Sequence, residues 1–109
     1  MATLFYLLDE AGGSRAYPTR LARGAQGRVR LCLEDREREE IHYRVEIEGG
    51  EGTPRTLPVE LPPGERFEIA LTVDAPGDAE GRCTDYRLFK QARPGVLYGA
   101  LRLVVELSS

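Results

Sequence analysis

The amino-acid sequence predicts an all-β fold, an antiparallel β-sandwich of seven or eight short strands made from one domain spanning residues 1–109. Three observations carry that prediction. Apolar and polar residues alternate in at least four segments, which is the period of a strand with one face buried and one wet. Glycine and proline, 12 and 7 in number, fall between those segments rather than inside most of them, as turn residues do. No stretch shows the 3.6-residue period of an amphipathic helix.

The clearest alternation runs from Arg28 to Glu48. Val29, Leu31 and Leu33 share one parity, opposite Arg30, Cys32 and Glu34. After a charged corner, Ile41, Tyr43, Val45 and Ile47 share another, opposite His42, Arg44, Glu46 and Glu48. Before this centre, Thr3–Asp9 reads as an opening strand, Glu10–Ser14 as a turn, and Tyr17 as extended because a proline follows it. Arg20–Gly27 leads into the central strands, with Gly24 and Gly27 as sites able to take positive φ.

After Glu48, the run Gly49–Pro54 reads as a loop tip. Leu57, Val59 and Leu61 alternate, but Pro58, Pro62 and Pro63 restrict this segment to a short or edge strand, since proline donates nothing to a ladder. Pro63-Gly64-Glu65 is a turn, and Phe67, Ile69, Leu71 and Val73 form the next strand, closed by Ala75–Asp78. Thr84, Tyr86 and Leu88 follow. Arg93-Pro94-Gly95 then turns the chain into a last strand, Tyr98–Leu107, with Leu101, Leu103, Val105 and Leu107 inward. The expected core is Val29, Leu31, Leu33, Tyr43, Val45, Ile47, Phe67, Ile69, Leu71, Tyr86, Leu88, Leu101, Leu103 and Val105. Proline in an edge strand suits an open sandwich better than a closed barrel.

Composition narrows the function classes. With 41% hydrophobic and 30% charged residues, the chain has the make-up of a soluble globular protein. A net charge of −3 with acidic residues interleaved among the basic ones speaks against a nucleic-acid partner, which requires a basic face. The longest apolar run, Leu4–Leu8, is far short of the ~18 residues of a membrane span, so this chain is not expected to insert into a membrane directly. No basic segment precedes that run as in a signal peptide.

The two cysteines, Cys32 and Cys83, stand 51 positions apart, a spacing like that of the inter-sheet bridge in antibody domains. Both have polar parity, so the reading is two free, half-exposed thiols.

Candidate sites are few. Nucleophilic catalysis needs a thiol or hydroxyl beside an oriented base. The single histidine, His42, has outward parity, and the crossing between its strand and that of Cys32 separates the two. Glu34, Asp35, Glu37, Glu39 and Glu40 invite a calcium reading, but Arg36 and Arg38 interrupt them and no glycine makes the sharp turn of a calcium loop. Asp35 is better read as a structural corner residue bonding backbone N–H groups, with Glu37 beside it. Gly49–Gly52 has no following helix and no Lys-Ser/Thr, so it is no phosphate cradle. Neither a catalytic, cofactor-binding nor metal site is expected, and no cofactor.

The run Tyr17-Pro18, Leu21, Gly24, Gly27, Val29, Leu33–Glu37, Tyr43, Val45 and Ile47 resembles an uncharacterised prokaryotic domain of unknown function. The resemblance continues through Leu61, Gly64, Glu65, Phe67, Arg87-Leu88-Phe89, Tyr98 and Leu103, and departs where Asp35 stands in place of the family's asparagine. That family commonly forms the soluble C-terminal part of multi-pass membrane proteins. The resemblance implies an immunoglobulin-like sandwich, a place on the outer face of a membrane, and no assigned chemistry; if this chain were the whole gene product, the cytoplasm would be expected instead. The functional expectation is a non-catalytic interaction or accessory module with a protein partner, and the alternative is a β-sandwich module binding glycan or calcium. Self-association, if weak homodimers form, is expected through the last strand, whose outward residues Ala100, Arg102, Val104 and Glu106 would pair about Val104 and set Arg102 opposite Glu106.

Overall fold

The structure, a computed structural model, describes residues 3–9, 20–22, 24–49, 54–74 and 82–107. The turn expected at Glu10–Ser14, the Tyr17-Pro18 step, most of the Gly49–Pro54 loop and the Ala75–Asp78 turn lie outside them. Among the described residues there are eight strands: β1 Thr3–Asp9, β2 Arg20–Leu21, β3 Gln26–Asp35, β4 Ile41–Gly49, β5 Arg55–Leu61, β6 Arg66–Asp74, β7 Arg82–Lys90 and β8 Arg93–Leu107.

They form two layers. One sheet has the order β1-β3-β6 and the other β2-β8-β7-β4-β5. Every pairing is antiparallel except that of β2 with β8, which is parallel. The chain changes sheet at every step except from β4 to β5 and from β7 to β8, so most neighbouring strands within a sheet are distant in sequence.

Alternation determines the inward set. Val29, Leu31 and Leu33 of β3, Tyr43 and Val45 of β4, Leu71 of β6, Tyr86 and Leu88 of β7, and Leu103 and Val105 of β8 are buried. Ile47, Phe67, Ile69 and Leu101, expected in the core, are half-buried and pack against it. Ile47 lies near the end of β4, Phe67 and Ile69 lie on an edge strand, and Leu101 lies on the part of β8 that β2 does not reach. Val59 and Leu61 of β5 also join the core. Burial pushes the Tyr86 phenol up to about 12, so it stays neutral across the ordinary pH range.

Four sequence expectations are corrected. First, Arg93-Pro94-Gly95 is not the turn. Gln91–Ala92 turns the chain, and β8 starts at Arg93, opposite Lys90. Second, the last strand, expected over Tyr98–Leu107, starts five residues earlier and reaches its regular ladder through two register shifts: Lys90 faces Arg93 while Phe89 faces Leu97, and Leu88 faces Gly99, leaving Tyr98 as an extra residue. Third, of the two glycines before β3, Gly24 has positive φ while Gly27 is an ordinary strand residue opposite Val73.

Fourth, Cys32 is not half-exposed but fully buried. Its parity is outward, as the alternation indicates, but β3 is the central strand of its sheet. Tyr6 of β1 stands opposite it on one side and Glu68 of β6 on the other, and side chains from both edge strands cover it. A central strand's wet face is roofed by long neighbours, which period-two parity does not reveal.

Candidate functional site

The corner between β3 and β4 is built on Asp35. Its backbone N–H donates to Glu65 O at 3.0 Å, and its carbonyl accepts from Gly64 N at 2.8 Å, tying the corner to the turn between β5 and β6. That turn is closed by Glu65 N donating to Pro62 O at 3.1 Å, with Gly64 at φ 78°. The Asp35 side chain is wholly buried. Oδ1 accepts from Glu37 N at 2.8 Å, a side-chain bond two residues ahead that bends the chain in place of a backbone turn. Oδ2 has no hydrogen-bond partner.

Glu37 in turn accepts from Lys90 Nζ at 2.9 Å, and Lys90 sits over the Tyr98 ring at 4.5 Å. Beside them Tyr43 and Thr3 share a hydroxyl–hydroxyl bond of 2.7 Å. Burial raises the Tyr43 phenol, the Thr3 bond opposes this, and the nearby Asp35 and Glu37 charges add to the rise. These residues close one end of the sandwich; the pairs join β1, the corner, β4, β7 and β8.

The five acidic residues that invited a metal reading diverge. Glu34 lies on the outer face, Asp35 is internal, Glu37 reaches toward β7, and Glu39 and Glu40 are exposed. Among the described residues, no three His, Cys, Asp or Glu side chains converge to hold a metal ion. His42 is solvent-facing, with Nε2 at 3.2 Å from Glu40 and Nδ1 at 3.7 Å from Glu60, beside an open depression of about 430 Å³ that Lys90 and Gln91 also line.

The outer face of the three-stranded sheet carries a second cluster, which the sequence pattern shows only as separate charges. Tyr6 Oη donates to Glu34 at 2.6 Å. Arg66 donates to Glu68 at 2.8 Å and to Cys32 Sγ at 3.7 Å, while Arg30 donates to Glu68 at 2.6 Å. The hydrogen bond to Glu34, with burial, holds the Tyr6 phenol up to about 12, and the same bond lowers Glu34. Burial pushes the Cys32 thiol up, with the Arg66 bond opposing it. A raised, enclosed thiol is a poor nucleophile. His42 belongs to the other sheet, so these two residues are not brought together.

Cys32 and Cys83 are both free. A maleimide should therefore label Cys83, which is half-buried, in the native protein, while Cys32 reacts only on unfolding. Mass spectrometry after a native pulse checks this; rapid labelling of Cys32 would show that the Tyr6–Arg66 roof opens readily.

The strand expected to self-pair is placed differently from its expectation. Ala100, Arg102 and Val104 are exposed on β8. The ladder at Glu106 and Leu107 is already taken by Arg20 and Leu21 of β2. Arg102 is bound to Asp85 on the neighbouring strand at 2.8 Å, which holds the Asp85 carboxyl below its ordinary value. Two-fold pairing about Val104, with Glu106 in the new ladder, would have to displace β2. The sequence does not reveal β2 because two residues are too few to show a period.

Exposed apolar side chains lie on β8, three in succession near its start and one six residues further on. Val96, Leu97, Tyr98 and Val104 are between 43% and 51% exposed. Around them the sheet face is occupied by matched charges: Arg44 bonds Glu46 at 2.9 Å and stacks on Phe89 at 4.5 Å, and Arg87 bonds Glu48 at 2.9 Å.

With two packed sheets of this order and no helix among the described residues, the chain is an immunoglobulin-like β-sandwich. A small part of E. coli alpha-2-macroglobulin, solved in its native conformation, has a similar fold, matched with a TM-score of 0.72 at 17% identity. The match covers 97% of this chain and 6% of that one, so the chain spans a small part of the length of the protein it resembles. No family model matches the sequence, and no curated relative does.

Proposed function

We propose that this domain is a non-catalytic interaction or accessory module that meets another protein across β8. The observation that supports this most directly is the run of exposed Val96, Leu97 and Tyr98, with exposed Val104 further along the same strand, on a surface where neighbouring charges are paired. Desolvating such apolar groups favours association, and aromatic residues are enriched at interface centres. The similarity to one small part of a much larger chain agrees with a module that works beside other domains. The resemblance to soluble domains of multi-pass membrane proteins would place that work on the outer face of a membrane.

A photo-crosslinking amino acid substituted for Leu97 or Val104, used in source cells, tests the proposal. A common protein adduct from both positions, absent when the crosslinker replaces Thr72 on the opposite sheet, is expected. Equal, diffuse labelling from all three positions would defeat it. A thermal-shift screen with calcium together with a glycan array tests the ligand-binding alternative, since a ligand of the native state raises the melting temperature.

A further inference from the structure

The two sheets end on β1 and β6 and on β2 and β5, and the five-stranded sheet is blunted on both sides. β5 carries Pro58 in mid-strand. β2 is two residues long, and β8 behind it has Pro94 as its second residue, is bulged at Tyr98, and is paired by β2 at its end. β1 has seven residues against the nine of β6, and its Phe5 packs inward across the layers, with Cδ2 3.0 Å from where a Cβ on Gly99 would stand. Prolines, bulges and covering segments are the devices by which edges avoid pairing with other chains.

Among the described residues β6, the longer of the two edges of the three-stranded sheet, has none of them. Its nine residues, Arg66–Asp74, contain neither proline nor glycine, and all nine pair with β3, from Glu34 to Gln26, without a register shift. β6 ends its sheet, so its other side is unpaired by any described strand. Its outward residues Arg66, Glu68, Ala70 and Thr72 are exposed, while Phe67 and Ile69 on the inward side are half-buried. The two charges on the outward face are matched to each other and to Arg30 rather than left to repel an incoming strand.

We infer that β6 is a self-pairing edge: a second copy of this chain adds its own β6 antiparallel about a two-fold axis at Ala70. The strand's sequence is complementary to itself in that register. Ala70 meets Ala70, the smallest side chain at the point of closest approach. Ile69 stands opposite Leu71, and Phe67 opposite Val73, so the apolar face continues across the axis. Arg66 stands opposite Asp74, a pair of opposite charge made twice by the symmetry. The product is a continuous six-stranded sheet, β1-β3-β6 followed by its mirror order in the partner copy. This inference does not depend on the β8 surface, which stays free in such a dimer.

Sedimentation velocity of the whole chain over a concentration series up to the millimolar range is the test. The wild type should show a reversible dimer, weakened by added salt. Ala70→Lys sets two like charges opposite each other and should abolish the dimer while leaving the melting temperature of the monomer unchanged, because Ala70 is exposed. In a Cys83→Ser background, where the remaining thiol is the buried Cys32, Ala70→Cys should be joined into a covalent dimer by a short bismaleimide, and Ala100→Cys on β8 should not. A wild type that remains monomeric throughout overturns the inference. So does a dimer that survives Ala70→Lys, or one that crosslinks through the β8 position instead.

Discussion

Leu103→Ala should lower the unfolding free energy by about 2–5 kcal/mol, the range for removing a buried leucine side chain and leaving a cavity. Leu103 is 2% exposed, lies on β8 opposite Thr84 of β7, and belongs to the core cluster between the two sheets. The upper half of the range applies if the site cannot collapse. Both sheets are constrained there, since β7 is paired on both sides and β3, which contributes Val29 and Leu31 from the other layer, is as well. Urea titration should show a lower midpoint with an unchanged slope, the mark of lost stability without a changed unfolded state. Val104→Ala, one residue away and 49% exposed, should stay within about 0.5 kcal/mol of wild type. Equal losses at the two positions would mean that the parity of β8 is wrong.

That parity is legible in the sequence because a half-buried strand leaves the same alternation wherever it lies. Val29, Leu31, Leu33, Tyr43, Val45, Leu71, Tyr86, Leu88, Leu103 and Val105 all read as core and are buried. Period two reports which face a residue occupies. It does not report which strands stand on either side. For that reason Cys32, on the correct outward face, reads as half-exposed, whereas central placement in β1-β3-β6 encloses it. The same limit hides β2, and with it the blocked ladder at Glu106.

Proline misleads in the opposite direction on β5. Pro58 correctly marks an edge, yet Val59 and Leu61 are as well buried as residues of inner strands, because an edge strand still turns one face to the core. At the corner, Asp35 is readable as a residue bonding backbone, and its side chain does accept from Glu37 N. Its complete burial is not readable, because it follows from the Pro62–Glu65 turn of a distant segment folding over it. The exposed cluster at Val96–Tyr98 is likewise hidden when Arg93-Pro94-Gly95 is taken for a turn.

Gly49→Ala should be the costliest glycine-to-alanine change among the described residues, at about 3 kcal/mol, the upper end of ordinary overpacking. Gly49 closes β4 opposite Thr84 of β7, at φ 153°, a region L-residues rarely adopt. A Cβ there would stand 2.3 Å from Cys83 O and 2.7 Å from Thr84 Cα. Both are backbone atoms, so no rotamer change relieves the clash and the strands themselves must part. The last rungs of the β4–β7 ladder, Gly49 with Thr84 and Glu48 with Asp85, should open first, seen as faster amide exchange confined to those residues. Gly64→Ala separates clash from backbone strain. Its φ of 78° is also unfavourable for alanine, but nothing lies within 4 Å of its added Cβ, so it should lose only about 1 kcal/mol. If chemical denaturation shows Gly49→Ala to be no worse than Gly64→Ala, the close approach of β4 to β7 at Cys83 is not present in the folded protein.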